Sequence, residues 1–300
     1  MNIKFWGVRG SVSTPITPEQ VQSKIIATVQ RITPKDIETN QARERFISNL
    51  PEWIFGTTGG NTPCISLTSE NTKIIFDMGT GLRGYGKTQK SDKKYHILIS
   101  HFHWDHIQGL PFFDPAYDPN AEIHLYSPFP KAKELLVSQM KRPYFPAPFE
   151  SLTKNFYFHT ITPGTEFKID NMTVNFCKMN HPGNSYSYAV SENGKKFVYA
   201  TDVELKSKDF LSTDCVNVFK DADAIVLDSQ YTVEEAFNKQ NWGHSAFCYA
   251  VDFAVHWNIK ELYLFHHEPT YDDKKLNSIL QAARWYAQYI NRTDIKIYLA

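Results

Sequence analysis

The segment His101-Phe102-His103-Trp104-Asp105-His106 sets three imidazoles and a carboxylate within six residues, directly after the apolar run Ile97-Leu98-Ile99. Apolar neighbours account for a buried strand. They give no reason for so dense a group of titratable side chains, which are costly to bury unless paired or bound to a cation. A metal site supplies the reason. At a strand end His101 and His103 point the same way, while Asp105 and His106 lie in the turn beyond, and His-x-His-x-Asp-His is a spacing suited to two ions. A chance polar loop is the bland alternative, and the density of the hexad argues against it.

Such ligands need rigid elements to carry them. Residues 96–100 read as the buried strand that delivers the hexad, and residues 1–8 as an edge or outer strand ending at Arg9-Gly10. Residues 17–50 are polar and helical in pattern, with one helix from Pro18 through Val29 and a second over 38–50, and form an excursion between strand-like regions. Strands resume at 63–68 and 73–76, punctuated by Gly59-Gly60-Asn61 and Gly79-Thr80-Gly81, where glycine permits backbone conformations that other residues resist. A second, lid-like insertion spans 127–158, with helical character over 130–140 and an aromatic, proline-rich loop from Tyr144 to Phe149. Further strands are expected at 172–179, 186–190, 196–200, 224–227, 261–265 and 295–299, with helices over 245–256 and 273–290. In the last of these Leu276, Leu280, Ala283 and Ala287 recur at helical spacing. Strand-rich halves with interspersed helices predict an α+β fold of two sheets covered by helices, a single domain over 1–300.

Composition narrows the class. With 300 residues and 42% hydrophobic content the chain fills a large core, and its formal net charge of zero offers no bulk attraction to nucleic acid or to an anionic membrane. Cys64, Cys177, Cys215 and Cys248 are widely separated and read as reduced, mostly buried thiols, which predicts a cytoplasmic protein. The first residues lack a long apolar signal core, and no run of eighteen apolar residues is present to cross a bilayer.

Several apolar strands end on polar residues, the place where a scaffold holds a site most rigidly. VNFCKMN is followed by His181, KFVYA by Thr201-Asp202, AIVL by Asp228 and LYLF by His266-His267. Any one of them alone reads more readily as structural; their recurrence supports the hexad.

With these residues assembled, the chain resembles the metallo-β-lactamase superfamily. The resemblance runs through Gly59-Gly60-Asn61-Thr62, Phe76-Asp77-Met78-Gly79-Thr80-Gly81, the hexad, His181, Asp202 and Phe265-His266. It implies an αβ/βα four-layer sandwich with two divalent metal ions at one edge of its sheets. His101, His103 and His181 would hold the first ion, Asp105, His106 and His266 the second, and Asp202 would bridge them. Zinc suits this nitrogen and oxygen ligand set, and manganese or iron also fit. A pair of ions about 3.5–4 Å apart holds a shared water and lowers its pKa, so that attack by a metal-bridging hydroxide is the expected chemistry. Asp77 is expected to organise loops or a ligand histidine.

Substrate class depends on what surrounds that nucleophile. Gly243-His244-Ser245 resembles an element of ribonuclease Z and related phosphodiesterases of the superfamily, which makes His244, with Asp105, a catalytic candidate: an imidazole there contacts a phosphoryl oxygen or protonates the leaving alcohol. The plainer alternative is a helix cap at Ser245 with His244 packed beside it. Asp228, Ser185 and His267 are expected to line the cleft or support a ligand. A small phosphodiester such as a cyclic nucleotide is the first expectation. RNA is the alternative, because tRNA-processing members carry an extra arm, and here Lys131, Lys133, Lys141, Arg142 and Lys154 are tempered by Glu134 and Glu150. Thioester or lactam hydrolysis, redox chemistry, and a metal-loaded interaction module without turnover are the rivals. The aromatic excursion also raises a homodimer as an expectation.

Overall fold

The computed structural model describes residues 1–70, 72–89 and 93–300. Two sheets face each other. One has six strands in the order β1 (Asn2–Gly7), β2 (Cys64–Thr68), β3 (Lys73–Phe76), β4 (Lys94–Leu98), β5 (Glu122–Ser127) and β6 (Phe156–Thr160). The other has seven, running β13 (Lys296–Leu299), β12 (Glu261–Phe265), β11 (Ala224–Asp228), β10 (Lys195–Ala200), β9 (Ser185–Glu192), β8 (Met172–Met179) and β7 (Phe167–Ile169). Strands β3 to β6 pair in parallel, as do β10 to β13.

Period-two side-chain alternation sorts the core into three layers. Ile74, Phe76, Val174, Phe176, Phe197, Tyr199, Val226 and Phe265 meet between the sheets. The opposite face of the second sheet presents Val198, Ile225, Leu227, Leu262 and Leu264 to the helices Phe247–His256 and Asp273–Tyr289. The opposite face of the first presents Ile75, Tyr95 and Ile97 to Leu82, Tyr85 and Leu136, from the helices Gly81–Thr88 and Ala132–Gln139. Helices, sheet, sheet and helices therefore stack as an α+β four-layer sandwich, as expected.

Several local expectations change. The helix expected over 38–50 is two, Pro34–Ile37 and Asn40–Ser48, because Thr39 is extended and its side chain accepts from the Ala42 N–H, starting a new helix there. The lid-like segment 127–158 ends as the edge strand β6, whose Phe156 and Phe158 pack with Phe149. Cys177 and Cys215 form a disulfide with Cα atoms 5.5 Å apart, which corrects the reading of four reduced thiols; they lie 38 positions apart in sequence, so spacing gave no signal, while Cys64 and Cys248 are free. Among the described residues no helix is long and apolar enough to cross a membrane.

Polar residues that follow β3, β4, β8, β10, β11 and β12 emerge on one edge of the sandwich. These strands point their carboxyl ends the same way within each sheet, the customary place for a ligand crevice in parallel sheets.

Candidate metal centre and active site

Three residues at this edge depart from ordinary strand geometry. Asp77, Asp202 and His266 have φ of 58°, 48° and 59°, a left-handed turn that stops each strand and swings the side chain inward. His101 and His103 come from the loop after β4, Asp105 and His106 from the short helix Trp104–Ile107, and His181 from the loop after β8.

Three groups of ligand atoms result among the described residues, the atoms of each lying within 4.8 Å of one another: His101, His103, His181 and Asp202; Asp105, His106 and His266; and an overlapping set of Asp202, His244 and His266. Asp202 faces both of the first two. Its Oδ2 lies 3.5 Å from His101 Nε2 and 3.6 Å from His181 Nε2, whereas its Oδ1 lies 3.1 Å from His106 Nε2 and 3.2 Å from His266 Nε2. Asp105 Oδ2 is 3.3 Å from His106 Nε2 and 3.2 Å from His266 Nε2. His266 turns to the carboxylates, whereas His267, expected to line the cleft or support a ligand, is buried and does not line it, and its own carbonyl accepts from the Gly10 N–H. Burial pushes the His267 imidazole down to about 3.

A shell of hydrogen bonds orients the rings. His106 Nδ1 donates to Asp77 at 2.7 Å, and His181 Nδ1 donates to the Gly243 carbonyl at 2.9 Å. His101 Nδ1 meets Ser100 Oγ at 3.0 Å, and His266 Nδ1 meets Gln230 Oε1 at 3.3 Å. Asp77 is itself fixed by the Ser100 N–H and hydroxyl and by the Tyr199 hydroxyl, each at 2.7 Å. Engaging Nδ1 in this way leaves Nε2 as the lone-pair atom aimed at the centre. Packing is close enough to need glycine: a Cβ at Gly243, where φ is +91°, would lie 2.2 Å from His181 Nδ1.

The residues fit a divalent pair. His101 Nε2 and His106 Nε2 are buried with no hydrogen-bond partner among the described residues, and His181 Nε2 faces His103 Nδ1 at 3.2 Å. Buried polar atoms are rarely left so unless a cation or water takes them. Burial pushes His101, His103 and His181 below the ordinary histidine value, which favours the neutral ligand form. Burial works against charge at Asp105 and Asp202 as well, yet the neighbouring histidines outweigh it and hold both carboxyls well below the usual range.

His244 stands at the rim. Its Nδ1 donates to Asp228 Oδ2 at 2.7 Å, its ring stacks on His266 with centroids 4.8 Å apart, and it lines the cleft together with Ser11, Phe102, His103, Trp104, Asp105, Asp202 and His266. Burial disfavours its charged form, but Asp228 outweighs that and raises the imidazole above its ordinary value. Asp228 also accepts from the Ser245, Gln230 and Val203 N–H groups, so it is a hub that positions the loop rather than a turn residue alone.

Two further expectations are corrected. Ser185 does not face the cleft: it is fully buried and its hydroxyl donates to the Thr201 carbonyl at 3.3 Å, beneath the Asp202 turn. Ser245 does not cap the following helix, whose cap residue is Ala246; its hydroxyl donates to the Val203 carbonyl and accepts from the Leu205 N–H. Sequence reasoning missed Ser11, whose N–H donates to Asp105 at 2.8 Å, and Gln230, the partner of His266. The Arg9-Gly10-Ser11 break after β1 was the available signal for Ser11: a Cβ at Gly10 would lie 2.6 Å from His266 Nδ1, so this loop is built against the centre. Gln230 gave none beyond following Asp228.

Comparison with known proteins agrees with this geometry. The model of the beta-lactamase superfamily domain matches residues 72–267, close to two thirds of the chain. Ribonuclease Z of Oceanobacillus iheyensis is 23% identical over 297 residues, covering 78% of this chain and 94% of the relative. That of Sulfurisphaera tokodaii is 26% identical over 268 residues, covering 74% and 88%. Among solved structures, the metallo-beta-lactamase fold protein YhfI from Bacillus subtilis superposes with a TM-score of 0.64 at 14% identity, over 99% of this chain and 95% of that one. The short form of human tRNase Z superposes with a TM-score of 0.61 at 18% identity, over 89% and 93%. The chain belongs to the beta-lactamase superfamily, and the dinuclear ligand set on that scaffold makes it a metal-dependent hydrolase.

Proposed function

We propose that this hydrolase cleaves phosphodiester bonds in RNA. One observation carries the chemistry: an imidazole tied to a buried carboxylate, His244 on Asp228, stands in the cleft beside both ligand groups. The curated relatives favour RNA over the cyclic nucleotide expected first from sequence, since those matched are named ribonuclease Z. The exposed Lys141 and Arg142 add support, since they lie next to Tyr144, which lines the adjoining cleft, where phosphates of a longer strand would run.

His101, His103 and His181 would hold one ion, Asp105, His106 and His266 the other, with Asp202 between them. Such ions, when bound, supply a low-pKa water and charge stabilisation for the phosphoryl oxygens. The protein's own part is positional. Asp77, Ser100, Gln230 and the Gly243 carbonyl fix the imidazoles before substrate arrives, so little reorganisation remains during reaction. The Ser11 N–H holds Asp105 in place. His244, with Nδ1 committed to Asp228, turns Nε2 to the cleft, and its raised pKa keeps a proton there for a leaving ribose oxygen. A thioester gives that proton donor no equivalent task, because a thiolate leaves without a proton.

The test is a turnover screen of zinc-loaded protein against a tRNA precursor with a 3′ extension, a cyclic nucleotide, a thioester and a β-lactam. RNA cleavage at a rate at least about tenfold above the others is expected. Faster hydrolysis of the thioester or lactam would overturn the reading, and preference for the cyclic nucleotide would restore the small-substrate reading.

A further inference from the structure

We propose that the cleft beside the metal hexad is a nucleobase subsite, in which Trp104 and Tyr144 stack the base next to the scissile phosphodiester. The inference rests on the phosphodiesterase reading above and adds to it the element that recognises a nucleotide. Trp104 lies between His103 and Asp105, yet it is 82% exposed; Tyr144 is 81% exposed. Large rings left in water beside a reaction centre have no packing role in the folded chain, and every nucleobase has a π-face to cover them.

The geometry joins the two rings to the chemistry. Phe102, Trp104 and Tyr144 line a cleft of about 380 Å³, a size suited to a small ligand group. Phe102 and Trp104 also line the cleft at the ligand groups, so the two clefts adjoin at these rings. Trp104 opens the helical turn that carries Asp105 and His106, so its backbone is fixed relative to the centre. Tyr144 is tethered in turn: its N–H donates to the Lys141 carbonyl at 2.9 Å, and the adjacent Phe145 packs edge-on against Phe112 with centroids 5.6 Å apart. Gln108 and Gln139 line the same wall with their Nε2 groups held by Thr62 and the Ile107 carbonyl, which leaves their amide oxygens as acceptors for a base edge. The exposed Lys141 and Arg142 just before Tyr144 meet the charge of a neighbouring phosphate.

A binding measurement tests this without relying on turnover. Adenosine and uridine 5′-monophosphate and ribose 5-phosphate are titrated calorimetrically into the zinc-loaded full chain and into Trp104→Ala, Trp104→Phe and Tyr144→Ala, each checked for metal content and circular dichroism. The nucleotides are expected to bind at least about tenfold more tightly than ribose phosphate, the scale of one stacked base. Trp104→Ala and Tyr144→Ala should remove most of that difference, and Trp104→Phe should restore it. In parallel, kcat/KM for a dinucleotide should fall about tenfold more in the alanine variants than kcat/KM for the same diester lacking a base. Equal affinity for nucleotide and ribose phosphate in the wild type, or unchanged discrimination in both alanine variants, overturns the subsite. If no phosphodiester is turned over, bis(p-nitrophenyl) phosphate included, the proposed function fails; turnover without base discrimination sinks the subsite alone.

Discussion

His244 divides the chemistry of this site from its metal binding. It sits within reach of Asp202 and His266 but is bonded to Asp228, so positioning and ligation make different forecasts. His244→Ala is expected to keep two ions per chain while kcat on a phosphodiester drops more than about tenfold, the low end for losing a general acid. Loss of one ion in that variant, read by elemental analysis, would make His244 a ligand. Gly243 gives a sharper steric case: its Cβ would approach His181 Nδ1 to 2.2 Å, and its φ of +91° suits glycine. Gly243→Ala should therefore displace His181 and lower occupancy of the site formed with His101 and His103, measured as metal content after gel filtration at limiting zinc. Full occupancy would mean that the loop yields instead.

At the scale of elements, the sequence made the ligands legible because each sits where a strand pattern stops: His181 after β8, Asp202 after β10, His266 after β12. What was not legible follows from physics that spacing does not record. Strand β5 has a half-polar sequence, Glu-Ile-His-Leu-Tyr-Ser, and its polar side chains are accommodated by neighbours: His124 Nδ1 meets His159 at 2.9 Å on β6, and Tyr126 meets His96 at 3.1 Å on β4. Ser185 looked available because it follows a Pro-Gly turn, but register turns it inward beneath Asp202. The His96 arrangement has a consequence for stability. Its imidazole is pushed down to about 4, chiefly by burial and then by His124. The unfolded chain therefore binds more protons between the ordinary histidine value and pH about 4, so stability should be full above about pH 6.5 and decline as pH falls through that window. Denaturant midpoints for His96→Phe should be flatter over this range than for wild type; equal slopes would place the acid sensitivity elsewhere.

The whole molecule is two sheets that hold one edge rigid. Phe76 lies fully buried between them, against Phe197 and Tyr199 with centroids 5.6 and 5.1 Å apart, and is followed at once by Asp77, the partner of His106. Phe76→Ala is expected to cost about 3–5 kcal/mol in denaturant unfolding; a cost under about 1 kcal/mol would mean that the sheets close over the gap. At the edge of these sheets one carboxylate, Asp202, is expected to organise a two-ion centre that hydrolyses phosphodiesters. The most direct test is bound metal and RNA cleavage measured together in wild type and Asp202→Ala. Wild type should hold two divalent ions per chain and cleave; the variant should lose affinity at both positions and more than about a hundredfold in rate, since Asp202 faces both groups of histidines and each ion contributes to catalysis. A two-ion wild type that cleaves no phosphodiester would rule out the phosphodiesterase role, and an Asp202→Ala protein that keeps both its metal and its rate would rule out Asp202 as the organising carboxylate.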